Sequence, residues 1–362
     1  MTAEKIRKVG AVCLLVLWFA ITGFTWFSEA KQTSEAERRP LAQMPALSVD
    51  TLLSGSFMKK FETAALDQFP LRDGFRTLKA MTHYYGLWQT DNNGIYLADG
   101  HAAKLLYPLD TEAVDLAMER LNKVYEKYLK ETGAEIYVSV IPDKSYWLSD
   151  LTVDYEAMFD RVREAAPWAE YISLTDVLTV DDYYKTDIHW RQENLLPAAQ
   201  KLAQAMGGSL EESFTEVSLD RPFYGVYHGQ AALPMEAESL ILLQSATTDG
   251  CTVYDHETGK TAAVYDMDKT DSKDLYDVFL SGSKSLLTIE NPNAQTDKEL
   301  IVFRDSFASS LIPLLLKGYA KVTLVDIRYM SSEILGNFID FTGQDVLFLY
   351  STTVLNTKGI LR

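Results

Sequence analysis

The stretch Ile301-Val302-Phe303-Arg304-Asp305-Ser306-Phe307-Ala308 joins a hydrophobic strand pattern to a helix pattern and places a serine at the junction. Two more apolar strand patterns follow it, at Lys321–Val325 and Asp345–Tyr350, and helix-like segments separate them. Alternating strands and helices predict a mostly parallel sheet that is covered by helices on both faces. We therefore expect an α/β fold.

An earlier strand pattern extends this fold toward the N-terminus. Glu135–Ile141 is apolar enough for a buried strand, and it follows an amphipathic helix pattern at residues 111–132. Residues 215–290 contain short β-like runs and many turns, which predicts an irregular β-containing insertion. We place the α/β domain at residues 91–362, after a linker and juxtamembrane helical region at residues 31–90.

The first thirty residues predict a membrane segment. Basic residues precede an uncharged run of 19 residues from Val9 to Phe27, close to the roughly 20 residues that cross a bilayer as a helix. The basic flank predicts a cytoplasmic N-terminus and an extracytoplasmic remainder. The alternative is a signal peptide cleaved near Ser28-Glu29-Ala30, which would release a secreted protein.

Composition excludes several classes of function. The chain of 362 residues carries a net charge of −17, which argues against nucleic acid as a partner because phosphate binding requires clustered Lys and Arg. Its two cysteines, Cys13 and Cys251, are too few for a disulfide framework or a cysteine-based zinc site. The sequence contains no phosphate-binding glycine loop and no HExxH motif, so we expect neither a cofactor nor a metal.

Two short segments carry residue types suited to catalysis. In Lys185-Thr186-Asp187-Ile188-His189-Trp190, the carboxylate of Asp187 is close enough to accept an N–H from the His189 ring and so to orient it. Ser306 lies where a strand-to-helix turn can expose a nucleophilic hydroxyl. Each segment has a simpler interpretation, as a buried polar turn and as a helix N-cap respectively.

Together the two segments contain the parts of a nucleophilic triad. Parallel α/β sheets bind ligands at the carboxyl ends of their strands, which is where Ser306 falls. Separation along the chain is no obstacle, because triads assemble in several chain orders. We therefore expect Ser306, His189 and Asp187 to meet in one cleft.

The two motifs resemble those of the DHHW family and of the related SGNH-like proteins of alginate O-acetylation. The resemblance covers roughly residues 50–355 and rests on the order of several further segments. These are Asp67–Arg72, Ile141–Lys144, Tyr276–Leu280 and Val325–Tyr329. This chain departs from the family pattern at two points. It has Asp-Ile-His where the family name indicates a second histidine, and it has Arg304 where the SGNH serine motif usually has glycine.

The resemblance implies an SGNH-hydrolase-like domain in which Ser306 is the nucleophile, His189 the general base and Asp187 its orienting partner. It also implies O-acetylation of an exported polysaccharide, with a multi-pass membrane O-acyltransferase as a partner. An acetylesterase would use the same residues with water as the acceptor. A catalytically inactive glycan-binding or assembly protein would keep only the fold.

Five further residues are candidates for contact with a polysaccharide substrate. Lys144 and Tyr146 follow a strand end at the expected mouth of the sheet, and Arg304 and Trp190 adjoin the proposed triad. His228 lies in a glycine-flanked loop. The alternative for each is a structural role in a turn, an ion pair or the core.

Overall fold

The computed structural model describes residues 2–148, 152–211 and 213–362. It divides into two compact units, the first formed by residues 1–93 and 228–234 and the second by the rest of the chain. The boundaries predicted at residues 30 and 90 stay a prediction, as does the insertion at residues 215–290.

The first unit consists mainly of helices. Helix α1 (Ala3–Phe27) contains a 23-residue apolar segment, Ala3–Thr25, that is long enough to cross a membrane. Its length and composition suit a membrane anchor or a signal sequence. The remaining elements are two short strands and three helices, followed by a π-helical turn. They are β1 (Thr33–Ser34), β2 (Arg39–Pro40), α2 (Val49–Leu53), α3 (Ser56–Asp67), α4 (Arg72–Met81) and Thr82–Gly86.

The second unit is built on a sheet that has eight strands within the described residues. Its strands in chain order are β5 (Ile136–Ile141), β6 (Glu170–Tyr171), β9 (Thr252–Asp255), β10 (Lys260–Ala262), β11 (Leu286–Glu290), β12 (Glu299–Arg304), β13 (Lys321–Val325) and β14 (Asp345–Ser351). They are arranged in the order β10-β9-β11-β13-β12-β14-β5-β6. Strands β13, β12, β14, β5 and β6 are parallel, and β11, β9 and β10 add antiparallel pairs at one edge.

The other elements of this unit are two hairpins and the helices. The hairpins are β3 (Ile95–Ala98) with β4 (His101–Lys104) and β7 (Thr215–Ser218) with β8 (Ile241–Gln244). The α-helices are α5 (Thr111–Val124), α6 (Ser145–Leu148), α7 (Tyr155–Ala165), α8 (Leu196–Ala205), α10 (Ala246–Gly250), α11 (Ala308–Leu315) and α12 (Thr352–Leu355). Helix α9 (Val226–Ala231) spans the point where the chain passes between the units.

The sheet is buried on both faces, as a parallel sheet requires. Along β12, Val302 packs into the cluster that contains residues of α8 and α11, whereas Ile301 and Phe303 pack into the cluster that contains residues of α5 and α7. This alternation explains why the strand is apolar at successive positions. The predicted fold class, a mostly parallel sheet flanked by helices, is confirmed.

The carboxyl ends of the central strands are joined by side-chain hydrogen bonds. The carboxylate of Asp305, just after β12, accepts the backbone N–H of Ser351 at the end of β14 over 2.7 Å. The backbone N–H of Asp143, just after β5, donates to the hydroxyl of Thr352 over 3.1 Å. These bonds fix the edge of the sheet at which Ser306 emerges.

Candidate active site

Ser306 lies in a tight turn between β12 and α11. Asp305 holds this turn, because its carboxylate accepts the N–H of Phe307 over 3.0 Å as well as that of Ser351. The helix begins at Ala308 and not at Ser306, so the serine precedes the helix and is partly exposed. Asp305 therefore holds the turn ahead of the helix, and the hydroxyl of Ser306 is left for another partner.

That partner is the imidazole of His189. Its Nε2 lies 2.8 Å from the Oγ of Ser306, and its Nδ1 lies 2.7 Å from the Oδ2 of Asp187. The two segments predicted to converge therefore do so, although 117 positions separate histidine and serine. The contacts run carboxylate to imidazole to hydroxyl, which is the geometry in which an imidazole accepts the proton of a serine.

Backbone contacts fix the carboxylate of Asp187, which is fully buried. Its Oδ1 accepts the N–H of Val226 over 2.6 Å, which leaves Oδ2 for His189. The preceding residue, Gly225, lies so close that a Cβ built there would overlap the backbone and Cβ of Asp187. Glycine is thus required at position 225 by the approach of two chain segments.

Glu238 anchors the loop before Asp187. Its carboxylate accepts the backbone N–H groups of Lys185 and Thr186, each over 2.8 Å, and the hydroxyl of Thr186 over 2.6 Å. The Thr186 hydroxyl in turn accepts the N–H of Gly225 over 2.9 Å. Because this carboxylate accepts three hydrogen bonds from the loop, it restricts the loop and hence the position of Asp187.

Two aromatic rings hold the imidazole of His189. The ring of Tyr276 is stacked on it, with centroids 4.0 Å apart and planes 9° apart, and Phe307 contacts it edge-on at 5.1 Å. The hydroxyl of Tyr276 lies 2.7 Å from the Oγ of Ser310, and burial raises the pKa of this phenol well above its usual range. Tyr276 is therefore a neutral support for the imidazole.

Lys144 is buried behind the loop that carries Asp187. Its Nζ donates to the carbonyl oxygens of Tyr184 over 2.9 Å and Lys185 over 3.4 Å, and only 2% of the residue is exposed. Burial lowers the pKa of Lys144 to about 7, against the opposing effect of the carboxylates of Asp187 and Glu238. This placement favours a structural contact with the loop over the predicted contact with an anionic glycan.

Arg304 and Trp190 also lie in the interior. The guanidinium of Arg304 is fully buried beside Asp305 and Ser309, and burial lowers its pKa. The indole N–H of Trp190 donates to the carbonyl of Phe307 and the hydroxyl of Ser310, each over 2.9 Å, and the residue is 0% exposed. Both placements support the interpretation of these residues as packing elements rather than substrate contacts.

The last two candidates lie elsewhere. Tyr146 packs with Tyr155 and Phe159 in the cluster on the α5 and α7 face of the sheet, whereas Phe307 belongs to the opposite cluster. His228 belongs to the first unit, and burial lowers its pKa. The structure thus brings Ser306, His189 and Asp187 together, and the predicted contacts of the other five residues with a polysaccharide stay predictions.

Three residues that position Asp187 and His189 could not be identified from the sequence. Gly225 and Tyr276 fall in segments that the sequence singled out, the glycine-flanked loop and one family landmark, but their partners are far away along the chain. Glu238 has no local signal, because a glutamate in a turn-rich region is usually solvated. Within the described residues, no group of three or more His, Cys, Asp or Glu side chains is placed to hold a metal ion.

No protein-family model and no curated protein matches this sequence. Solved structures match it at low identity. A DHHW family protein from Eubacterium siraeum superposes with a TM-score of 0.62 at 18% identity, over 75% of this chain and 94% of its own. Bacillus cereus PatB1, solved with a sulfonyl adduct, gives a TM-score of 0.59 at 18% identity, over 74% of this chain and 97% of its own.

A third match is the O-acetyltransferase domain of Pseudomonas putida AlgJ, with a TM-score of 0.46 at 14% identity over 73% of this chain and 93% of its own. The sequence resemblance to the DHHW family is thus accompanied by structural neighbours that include a protein of that family. The chain has the fold of the DHHW family protein from Eubacterium siraeum and of PatB1.

Proposed function

We propose that this protein transfers an acyl group, most simply acetyl, to an exported or cell-wall polysaccharide through an ester on Ser306. The observation that carries the proposal is the continuous chain of contacts from Asp187 through His189 to Ser306 at 2.7 and 2.8 Å. Of these three residues, Ser306 is the one that is partly exposed to solvent, as a nucleophile requires.

In the first half of the reaction, His189 accepts the proton of Ser306 at Nε2 while the Oγ attacks the acyl carbonyl. The imidazolium is stabilised by Asp187, which accepts the Nδ1–H. Collapse of the tetrahedral intermediate breaks the bond to the leaving alcohol, which takes the proton from His189. The product is an acyl ester on Ser306.

In the second half, a sugar hydroxyl gives its proton to His189 and attacks this ester. Collapse returns the proton to the Oγ of Ser306 and releases the O-acylated sugar, so that the enzyme is regenerated. An esterase would follow the same steps with water as the attacking group. The site geometry serves both reactions, and the resemblance to O-acetylation proteins favours the sugar as acceptor.

The backbone N–H of Ser306 is suited to stabilise the oxyanion of both intermediates. Within the described residues this N–H has no hydrogen-bond acceptor, whereas the neighbouring N–H of Phe307 donates to Asp305. We therefore assign Ser306 the role of nucleophile and of oxyanion donor through its own backbone.

The membrane segment and the charge pattern around it support an extracytoplasmic location for this chemistry. Helix α1 is long enough to span a bilayer, and its basic flank favours a cytoplasmic N-terminus. An acyl donor from the cytoplasm would have to cross that bilayer. We propose that a multi-pass membrane O-acyltransferase delivers the acyl group to Ser306.

The test is the release of nitrophenol from nitrophenyl acetate by the full-length chain, with and without an oligosaccharide acceptor. We expect Ser306→Ala and His189→Ala each to lower kcat by about 10³-fold or more, and Asp187→Asn by about 10²-fold or more. Variants that perform like the wild-type chain would disprove the assignment. Acetylated oligosaccharide among the products identifies the transferase, and free acetate alone identifies the esterase.

A further inference from the structure

Helix α4 presents its apolar side chains outward. Leu71, at the N-cap, and Phe75 and Leu78 are spaced at i, i+4 and i+7, so they lie along one face of the helix. Their exposed fractions are 82%, 49% and 59%. A surface helix in water normally turns such a stripe toward the protein core.

The opposite face of α4 turns its charges inward. Arg72 and Arg76 have only 18% and 17% of their side chains exposed, and they pair with Glu37 at 2.5 and 3.4 Å. Arg76 also donates to the carbonyl of Gly229 over 2.7 Å, and Ala80 on this face is fully buried. The helix is therefore amphipathic in the reverse sense to a helix that borders water.

Neighbouring elements extend this apolar surface. Leu66 of α3 lines the same surface cleft as Phe69 and Phe75, and the Phe69 and Phe75 rings are 5.4 Å apart. The other large apolar side chains that are exposed between residues 44 and 88 are Met44, Leu47, Val49, Leu52, Leu53, Met58, Met81, Tyr85, Leu87 and Trp88. We call the exposed apolar residues between 44 and 88 the apolar face. Single exposed apolar residues need no explanation, but this many within one short segment indicate that the segment contacts another apolar surface.

The apolar face lies close to the end of the apolar helix. Lys31 follows the last residue of α1, Phe27, by four positions, a span of at most about 14 Å. The backbone N–H and carbonyl of Lys31 are both hydrogen-bonded to the side chain of Gln68, at 2.9 Å each. Gln68 lies between Leu66 and Leu71 in the chain, so these apolar residues are held near the point where the chain leaves the membrane.

The charge of the segment that carries the apolar face favours a location at a lipid surface. The segment from residue 44 to residue 88 carries five Lys or Arg and four Asp or Glu, in a chain whose net charge is −17. This near-neutral segment avoids the repulsion that the rest of the chain would experience at an anionic lipid surface. Tyr85 and Trp88 are also of the residue types that are enriched at membrane–water interfaces.

We propose that the apolar face lies in the interfacial layer of the bilayer that α1 spans, with Leu71, Phe75 and Leu78 inserted among the lipids. The bonds between Lys31 and Gln68 would hold the face at that depth. The driving force is burial of apolar area, so the insertion should persist at high salt. This inference is independent of the chemistry proposed at Ser306.

The test places a spin label at Phe75→Cys in the full-length chain, with Cys13 and Cys251 replaced by alanine. The chain is reconstituted in nanodiscs of phosphatidylcholine and phosphatidylglycerol. Met267→Cys is the matched control, because Met267 is exposed to nearly the same fraction, 48%, and lies in the second unit. The measurement is the collision rate of each label with oxygen, which dissolves in lipid, and with a water-soluble nickel chelate.

We expect the label at position 75 to collide more with oxygen than with the chelate, and the label at position 267 to show the reverse. A label at Leu71→Cys should agree with position 75, which guards against a local disturbance by one substitution. A label at position 75 that collides more with the chelate than with oxygen would overturn the proposal, because the face would then lie in water. Protection of labels 71 and 75 from both reagents would also overturn it, because a protein would then cover the face.

Discussion

The phenol ring of Tyr276 lies flat against the imidazole of His189, with the two ring centroids 4.0 Å apart. Since an aromatic pair contributes about 0.5–1.5 kcal/mol beyond its buried area, replacing the ring by Leu should lower kcat/KM by roughly tenfold. Tyr276→Phe keeps the stacked ring and should retain nearly wild-type kcat/KM, at a cost of about 1 kcal/mol in unfolding free energy from the lost bond to Ser310. Nitrophenyl acetate kinetics and thermal unfolding check both variants. Equal activity of the Leu and Phe variants would show that the stacking is catalytically irrelevant.

A methyl group at position 225 should displace the carboxylate of Asp187. A Cβ added at Gly225 would overlap Asp187, so Gly225→Ala should force the two segments apart and lower kcat more than tenfold. Gly74→Ala is the matched control, because no atom lies within 4 Å of a Cβ built there and Gly74 lies within helix α4. The control should keep full activity and gain up to about 1 kcal/mol of stability. An active Gly225→Ala variant would contradict the close approach of Gly225 to Asp187.

Removal of Glu238 should weaken both the fold and the reaction. Glu238→Ala leaves the N–H groups of Lys185 and Thr186 without their acceptor, and we expect a loss of about 3 kcal/mol in unfolding free energy together with a lower kcat. Glu236→Ala, at an exposed position two residues away, should change neither. Urea unfolding and steady-state kinetics on the same preparations make the comparison. A stable and active Glu238→Ala variant would show that Glu238 is not needed to hold the loop before Asp187.

The buried amine of Lys144 should make stability depend on pH. Burial lowers its pKa from 10.5 to about 7, so between these values the unfolded chain binds one more proton than the folded chain. The free energy of unfolding should therefore rise with pH in this window, by up to about 1.4 kcal/mol per pH unit from this group. The destabilisation caused by burying the charged amine should reach its full size below pH 7. Lys144→Met should remove this contribution. The measurement is the difference in unfolding free energy between wild type and variant at pH 7, 8 and 9, and a difference that does not vary with pH would refute the shift.

The central strands could be predicted from sequence because they are apolar at successive positions. The predicted strands at Lys321–Val325 and Asp345–Tyr350 differ from β13 and β14 by one residue at most. The ends of the helices could be predicted less exactly. The pattern at residues 111–132 forms α5 only to Val124, with a π-helix after it, and the helix predicted near residues 331–341 is a 3₁₀-helix at Ser332–Asn337.

The meeting of Asp187, His189 and Ser306 could be predicted because these residues carry a local signal, an acid two positions before a histidine and a serine at a strand end. The burial of the candidate substrate residues could not be predicted, because residue type and nearness in sequence do not report it, and their contacts with a substrate stay predictions. Lys144 and Arg304 are typical surface residues by type, yet both are buried. The supports at Glu238 and Gly225 depend on contacts between distant segments, and no single stretch of sequence contains them.

The most direct test of the proposed role of Ser306 as nucleophile is the isolation of the acyl-enzyme. The full-length chain is mixed with nitrophenyl acetate, quenched in acid within the first turnover and digested, and the peptides are analysed by mass spectrometry. A parallel sample is treated with a sulfonyl fluoride, because PatB1 of the same fold has been solved with a sulfonyl adduct. Our expectation is that both modifications fall on Ser306 and disappear in the His189→Ala variant. Modification at any other residue, or none at Ser306, would contradict it.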